Sequence, residues 1–362
     1  MNAFASTDPR LLLREDLRGF EGYRSARSER ARGEVWLNAN EACVPNASDP
    51  TDTLRRYPAP RPEALVDALA ALYGCTPAQL LVGRGSDELI DLLVRACCMP
   101  GRDTVVVTPP VFGMYAVSAR LHGVAVADVP LVDGADDAFV DLDTVAEVAI
   151  ARDARLVFLC SPGNPLGGPV AREEVLSLSK RLEERALVIV DEAYIEFADV
   201  PSLVADVGRQ RNLVVLRTLS KAHALAGARI GCAIADPGVI EGLRRCQAPY
   251  PIAAPSAAVA LAALTPEALA ATQTRIATTQ TERDTLIRDL RALPGVRRVY
   301  PSQANFLLVR FDDADAAWKS LCDAGIVARD MRATPALNDA LRITVGTREE
   351  NRRVLAALGA AP

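Results

Sequence analysis

Histidine is the scarcest catalytic residue type in this chain: His122 and His223 are the only two among 362 residues. They stand far apart, which excludes a His-rich zinc centre and disfavours a Ser-His-Asp hydrolase. The eight cysteines, Cys43, Cys75, Cys97, Cys98, Cys160, Cys232, Cys246 and Cys322, include no Cys-x-x-Cys pair. They are expected to be reduced, mostly buried thiols of a cytoplasmic protein, and no metal site is expected. Long apolar runs are missing too. The longest uncharged stretch, Ala248 to Pro266, is broken by Pro249, Pro251 and Pro255, a poor membrane span. Met1 to Arg18 has no apolar core of the kind a secretion signal carries. Positive charge is not in excess: the net charge of -5 argues against nucleic acid or acidic membranes as partners. Internal repeats and low-complexity tracts are absent as well.

What the chain does have is a repeated alternation of short apolar strands and helices. Strands are expected at Leu80–Val82, Thr104–Val107, Val124–Val129, Leu156–Cys160, Ala186–Val190 and Leu213–Leu216. Helices are expected between them, from Pro62 to about Tyr73, Leu89 to Cys98, Val111 onward, Leu142 to Ile150 and Arg172 to Glu184. Strands this continuously apolar are buried on both faces, as in a parallel or mixed sheet covered by helices. Beyond Pro255 the pattern changes to Ala-rich helix (Ser256–Leu264), a long charged helix (Pro266–Leu293), strands at Val296–Tyr300, Phe306–Val309, Ile326–Val327 and Leu341–Val345, and helices at Ala314–Ala324 and Thr347 to about Ala357. The fold class expected is α/β, a large domain over residues 51–250 and a smaller α+β domain over 251–362, with an N-terminal arm over 1–50 completing the small domain.

The polar residues gather just past the strand ends. Gly85-Ser86-Asp87 follows the first strand and leads into an apolar helix, a turn whose free N–H groups suit a phosphate. Asn164 is held in Ser161-Pro162-Gly163-Asn164-Pro165-Leu166-Gly167-Gly168, and Asp191-Glu192-Ala193-Tyr194 follows another strand. After Leu213–Leu216 comes Ser220-Lys221-Ala222, with Arg229 eight residues beyond the lysine. In open α/β sheets that carboxyl edge is where ligands bind. Read alone, Lys221 is equally a buried loop lysine. Together these residues put an amine, a carboxylate, an amide, a phenol and a phosphate-type helix start around one crevice. Among common cofactors, pyridoxal 5'-phosphate asks for that set. Lys221 would form the Schiff base, Asp191 would pair with the pyridine nitrogen, and Asn164 and Tyr194 would donate to the ring oxygen O3′. Arg229, Ser220 and the N–H groups of Ser86 and Asp87 would hold the phosphate, and Tyr115 would stack on the ring face.

These motifs also resemble a known family. The stretches Val35 to Glu41, Arg56-Tyr57-Pro58, Arg84 to Glu88, Ser161 to Gly167, Asp191 to Phe197, Arg217 to Ala222, Ala248 to Pro251 and Leu341 to Thr347 are similar to the aspartate aminotransferase-like (fold type I) pyridoxal phosphate enzymes, in particular their class II, histidinol-phosphate aminotransferase branch. The resemblance covers nearly the whole chain and implies the fold type I architecture, a large domain with a mostly parallel seven-stranded sheet between helices plus a smaller α+β domain and an N-terminal arm. It implies ping-pong transamination between L-glutamate and histidinol phosphate, with Lys221, Asp191 and Tyr194 as catalytic residues. It further implies a homodimer with the site at the interface, Tyr57 reaching the partner's cofactor phosphate and Tyr23 covering the partner's substrate. Arg342 would take a carboxylate, Arg329 the substrate phosphate, and Asn40 a further substrate contact. Leu166 and His223 depart from the family pattern, which has Thr and an aromatic there; His223 is expected to be a hydrogen-bonded structural histidine. An aromatic-amino-acid aminotransferase, a phosphothreonine decarboxylase and a non-enzymatic binding protein stay open at this point.

Overall fold

Strand, turn and helix succeed one another because each apolar run is cut by glycine, proline or a charged pair. The computed structural model describes residues 8–23, 25–26, 33–134 and 137–359, so parts of the expected arm lie outside the described residues. The first half runs α1 (Glu63–Tyr73), β1 (Leu80–Arg84), α2 (Gly85–Cys97), β2 (Thr104–Val107), α3 (Met114–Leu121), β3 (Ala125–Asp128), a small hairpin of β4 (Val132–Asp133) and β5 (Ala138–Phe139), α4 (Leu142–Ala151) and β6 (Ala154–Cys160). Then come α5 (Arg172–Arg181), β7 (Leu187–Asp191), β8 (Leu213–Thr218), β9 (Ile230–Ile234), α6 (Pro237–Cys246), α7 (Ala254–Ala262) and the long α8 (Pro266–Arg291). The chain closes with β10 (Val296–Val299), β11 (Phe306–Phe311), α9 (Ala314–Asp323), β12 (Arg329–Asp330), β13 (Ala340–Thr344) and α10 (Arg348–Ala357).

Seven strands form one sheet in the order β1-β9-β8-β7-β6-β2-β3. Only β9 runs against its neighbours, so the sheet is mostly parallel, as the apolar strands led one to expect. Alternate residues divide between its faces. Val157, Leu159, Val188, Val190 and Val215 join one core with α1, α4, α5 and α7; Leu156, Phe158, Leu187, Ile189 and Val214 join the other with α2, α3 and α6. Each such fully buried side chain contributes about 1.5–3 kcal/mol. β9 was not among the strands placed from the sequence; its short apolar run is interrupted by Gly231. A second sheet, β10-β11-β13-β12, packs against α8, α9 and α10 and forms a separate core around Leu307, Val309, Leu341 and Leu286.

Three expectations are corrected. Among its described residues the arm adds no strand to the small sheet: Leu12 and Leu13 are buried against α2 and α6 of the large one, and Arg155 Nη2 donates to the carbonyls of Leu11 (3.2 Å) and Leu12 (2.9 Å). Ile326–Val327 is not a strand; Val327 is 90% exposed, and the pairing starts at Arg329 instead. The phosphate-type helix begins at Gly85 rather than Leu89, which brings Ser86 and Asp87 into its first turn. Among the described residues no single helix is long and apolar enough to cross a membrane, and no group of His, Cys, Asp and Glu could hold a metal ion.

Candidate active site

The carboxyl ends of β6, β7 and β8 and the start of the reversed β9 meet along one edge. Cys160 pairs with Asp191, Asp191 with Leu216, and Thr218 with Gly231 in the ladder. Three ladder-fixed strands therefore deliver their next residues to one place. A cleft of about 130 Å³ opens there, walled by Ser86 and Asp87 from α2, Phe112, Asn164, Asp191, Ala193 and Tyr194, and Ser220, Lys221 and Arg229 from the loop between β8 and β9.

Asp191 is 3% exposed; its Oδ1 accepts the Ala193 N–H (3.1 Å) and its Oδ2 the Tyr115 hydroxyl (2.8 Å). Burial outweighs these donors and pushes its carboxyl up to about 6. Lys221 opens onto the cleft rather than being sealed inside it. The cleft walls still displace enough water to lower its pKa, and Arg342 lowers it further, against the opposing pull of Asp191 and Asp87. Its Nζ stands 5.6 Å from the Tyr194 ring centroid.

The first turn of α2 has no side-chain cap; the Glu88 carboxylate accepts the Arg84 N–H (2.6 Å) instead. The N–H groups of Ser86 and Asp87 are thus left facing out at the positive end of the helix. Arg229, itself in the left-handed conformation (φ 55°), closes the cup: its Nη2 donates to Asp87 Oδ2 at 3.0 Å. Gly85 keeps that space open, since a Cβ there would lie 2.5 Å from Arg229 Nη2. The hydroxyls of Thr218 and Ser220 lie 2.9 Å apart beside it.

Asn164 joins two parts of the cleft. Its Nδ2 donates to the Tyr194 hydroxyl (3.2 Å) while its Oδ1 accepts from Arg342 of β13. Burial raises the Tyr194 pKa, so the phenol stays protonated. The Arg342 guanidinium lies 5.1 Å from the Phe306 ring centroid, and its Nε is buried without a hydrogen-bond partner among the described residues. Burial lowers its pKa, and Arg329, the residue opposite it on β12, lowers it further.

The structure thus brings together Gly85, Ser86, Asp87, Asn164, Asp191, Tyr194, Ser220, Lys221, Arg229 and Arg342. Tyr115 is a correction: it is fully buried behind Asp191, stacked on Phe158 (4.9 Å, 6°), and cannot lie on a ring in the cleft. The aromatic wall is Phe112, three residues earlier, which sequence reasoning missed although Phe112-Gly113 comes one residue after a strand-ending proline pair. Thr218 was missed as well. Tyr23 (75% exposed), Asn40 and Tyr57 (51%) lie outside the cleft of their own chain; Tyr57 stacks on Tyr250 at 4.6 Å. Buried His223 differs from its expected satisfied state, for its Nδ1 finds no hydrogen-bond partner among the described residues. A larger cavity of about 540 Å³ shares Cys160 and Asn164 but brings no lysine to them, and its cation, Arg181, is paired with Asp143 at 2.5 Å. The smaller cleft is therefore the candidate active site. Its donors fit pyridoxal phosphate: cations and free N–H groups for a phosphate, an amine for an aldehyde, and a carboxylate for a ring nitrogen.

Comparison with known proteins agrees. The aminotransferase class I and II family matches residues 31–358. The chain is 60% identical over 347 residues, 96% of each chain, to the histidinol-phosphate aminotransferase of Xanthomonas euvesicatoria pv. vesicatoria (strain 85-10). It is 59% identical over 349 residues, again 96% of each, to that of Stenotrophomonas maltophilia (strain R551-3). The crystal structure of histidinol-phosphate aminotransferase from Sinorhizobium meliloti in complex with pyridoxal-5'-phosphate superposes with a TM-score of 0.75 at 29% identity, covering 86% of this chain and 84% of that one. Motifs, sheet edge and relatives converge, and the chain belongs to the aminotransferase class I and II family.

Proposed function

We propose that this chain carries out the histidinol-phosphate aminotransferase reaction of L-histidine biosynthesis, moving an amino group between L-glutamate and imidazole-acetol phosphate by a ping-pong route. The observation that carries the reading is the meeting of Lys221, Asp191 and the Ser86–Arg229 cup in one cleft, with Arg342 tied to it through Asn164. Near full-length identity to the Xanthomonas enzyme favours this substrate over aromatic amino acids or phosphothreonine. Bound pyridoxal phosphate supplies an aldehyde that captures the amino group and a ring that withdraws electrons from the substrate's Cα.

Each residue then has a task. Ser86, Asp87 N–H, Ser220 and Arg229 hold the phosphate. Asp191 accepts the ring N–H, and Asn164 and Tyr194 donate to the ring oxygen. Lys221 Nζ, whose pKa its surroundings lower, would take the substrate's α proton and pass it to the carbon that the cofactor's aldehyde supplied. Arg342 presents its fork to the substrate carboxylate and Arg329 to the substrate phosphate. Tyr57, Tyr23 and Asn40 lie outside their own cleft, which suits a homodimer in which Tyr57 and Tyr23 complete the partner's site. A cytoplasmic location and a division into a large domain near 51–250 and a small one near 251–362 belong to the same reading.

The test is borohydride reduction of the holo-protein, peptide mapping, and assay with 2-oxoglutarate. Label on Lys221 and turnover of L-histidinol phosphate well above L-phenylalanine support the reading. Label elsewhere, preference for phenylalanine, or carbon dioxide release from O-phosphothreonine would overturn it.

A further inference from the structure

Tyr115 lies on α3 behind the wall of the cleft, yet it touches the centre of the chemistry. Its hydroxyl donates to Asp191 Oδ2 at 2.8 Å. The ring is gripped on two sides, stacked on Phe158 (4.9 Å, 6°) and edge-on to Phe112 (5.7 Å, 81°), and it has no exposed surface. That hydroxyl therefore cannot turn to water. A carboxylate offers about four lone-pair positions. Tyr115 fills one on Oδ2 and the Ala193 N–H fills one on Oδ1, so both oxygens are held and the remaining positions are set for a donor in the cleft.

The two donors are neutral, and no cation hydrogen-bonds Asp191 among the described residues. The other groups facing it are mixed: Lys221 from the loop, Asp87 from α2, Cys160 from β6 and Tyr194. A buried carboxylate in such company tends to take up a proton, and a protonated one lacks the negative charge that keeps a ring nitrogen protonated. The aromatic grip could be supplied by phenylalanine; the hydroxyl adds the bond to Asp191 and a contact with the Cys160 thiol.

We propose that Tyr115 is a positioning residue of the proposed transamination, whose hydroxyl keeps Asp191 ionised and aimed so that the carboxylate can receive the cofactor's ring nitrogen. This rests on the reading that the cleft holds pyridoxal phosphate. It places a second layer behind the cofactor, Phe158–Tyr115–Asp191, that runs from the sheet core to the site.

The experiment uses Tyr115→Phe, which preserves the ring and its stacking. Apo-protein is titrated with pyridoxal phosphate and with the analogue whose ring nitrogen is replaced by carbon, in wild type, Tyr115→Phe, Asp191→Asn and the double variant. We expect Tyr115→Phe to weaken pyridoxal phosphate binding about tenfold and to alter the visible band of the bound cofactor. It should leave binding of the carbon analogue unchanged and have no added effect on affinity in the Asp191→Asn background. Equal loss for both cofactors, or additive losses in the double variant, would mean that the hydroxyl merely supports the fold and would sink the proposal, as would unchanged affinity. If wild-type apo-protein itself takes up no pyridoxal phosphate, the underlying reading fails with it.

Discussion

Arg329 and Arg342 stand directly opposite each other on β12 and β13, so their side chains leave the sheet from the same face. Two like charges in that relation repel, and burial of Arg342 adds to the penalty. The arrangement makes sense if anions come to both. Arg342→Ala is expected to raise the KM for glutamate about 100-fold, the loss of a charged hydrogen-bonded pair of about 2–3 kcal/mol. Arg329→Ala should raise the KM for L-histidinol phosphate about tenfold and that for glutamate less, while the apo-protein melts no lower than wild type. Steady-state kinetics with each substrate, and a melting curve, check both.

Asp191 gives a prediction whose sign depends on the cofactor. Its carboxyl is raised from 3.8 to about 6 in the fold. In the apo-protein the stability linked to this group is fully present below about pH 4 and is lost as the pH rises through 6. Asp191→Asn removes the buried charge, so the apo variant should be more stable than wild type at pH 8 by roughly 1–3 kcal/mol, the difference closing by pH 4. With cofactor bound the order should reverse at pH 8. Denaturant melts across this pH range, with and without pyridoxal phosphate, would show it.

Gly231 sits where no side chain can fit. A Cβ there would lie 2.6 Å from both Gly85 C and Ser86 N, backbone atoms of the helix start that makes the anion cup. Gly231→Ala must push β9 away from α2, at about 1–3 kcal/mol. The cup moves with it. Binding of pyridoxal phosphate should fall at least tenfold, and binding of unphosphorylated pyridoxal much less; equal losses would contradict this account.

Ala224 holds a left-handed conformation (φ 56°) in the lysine loop while its side chain is exposed. Strain of about 1 kcal/mol is set against the entropy that glycine would add to the unfolded chain, about 0.5–1 kcal/mol. Ala224→Gly should thus be neutral to slightly stabilising. Ala224→Val, β-branched at the same φ, should lose about 2 kcal/mol or more. Thermal melts of the two variants decide.

The central strands were legible in the sequence because strands buried on both faces are written as unbroken apolar runs, as at Leu156–Cys160 and Leu187–Val190. Asp191, which closes one strand, and Asn164 and Lys221, which follow others, could be placed at one sheet edge for the same reason. Reversal of β9 was not, since antiparallel return through Gly231 depends on contact with β1, more than a hundred residues earlier. Tyr115 was misplaced because a helix beginning at Met114 rather than Val111 turns Phe112 into the cleft and Tyr115 into the core. Cross-chain roles for Tyr23 and Tyr57 rested on resemblance alone, for nothing local in an exposed loop tells which chain a side chain serves.

The return of β9 beside β8 has one more consequence. Lys221 and Arg229 ride on a single loop whose two ends are pinned, Leu219 N–H to the Ile230 carbonyl at 3.0 Å and Thr218 against Gly231. Leu225 N–H bonds back to the Leu219 carbonyl at 3.0 Å, bracing the middle. The loop is a caliper: its jaws, an amine and a guanidinium, are held at one opening by strand register. Most surface loops tolerate an extra residue, but here an insertion would reset the gauge that, in the proposed reaction, measures a molecule from its aldehyde to its phosphate.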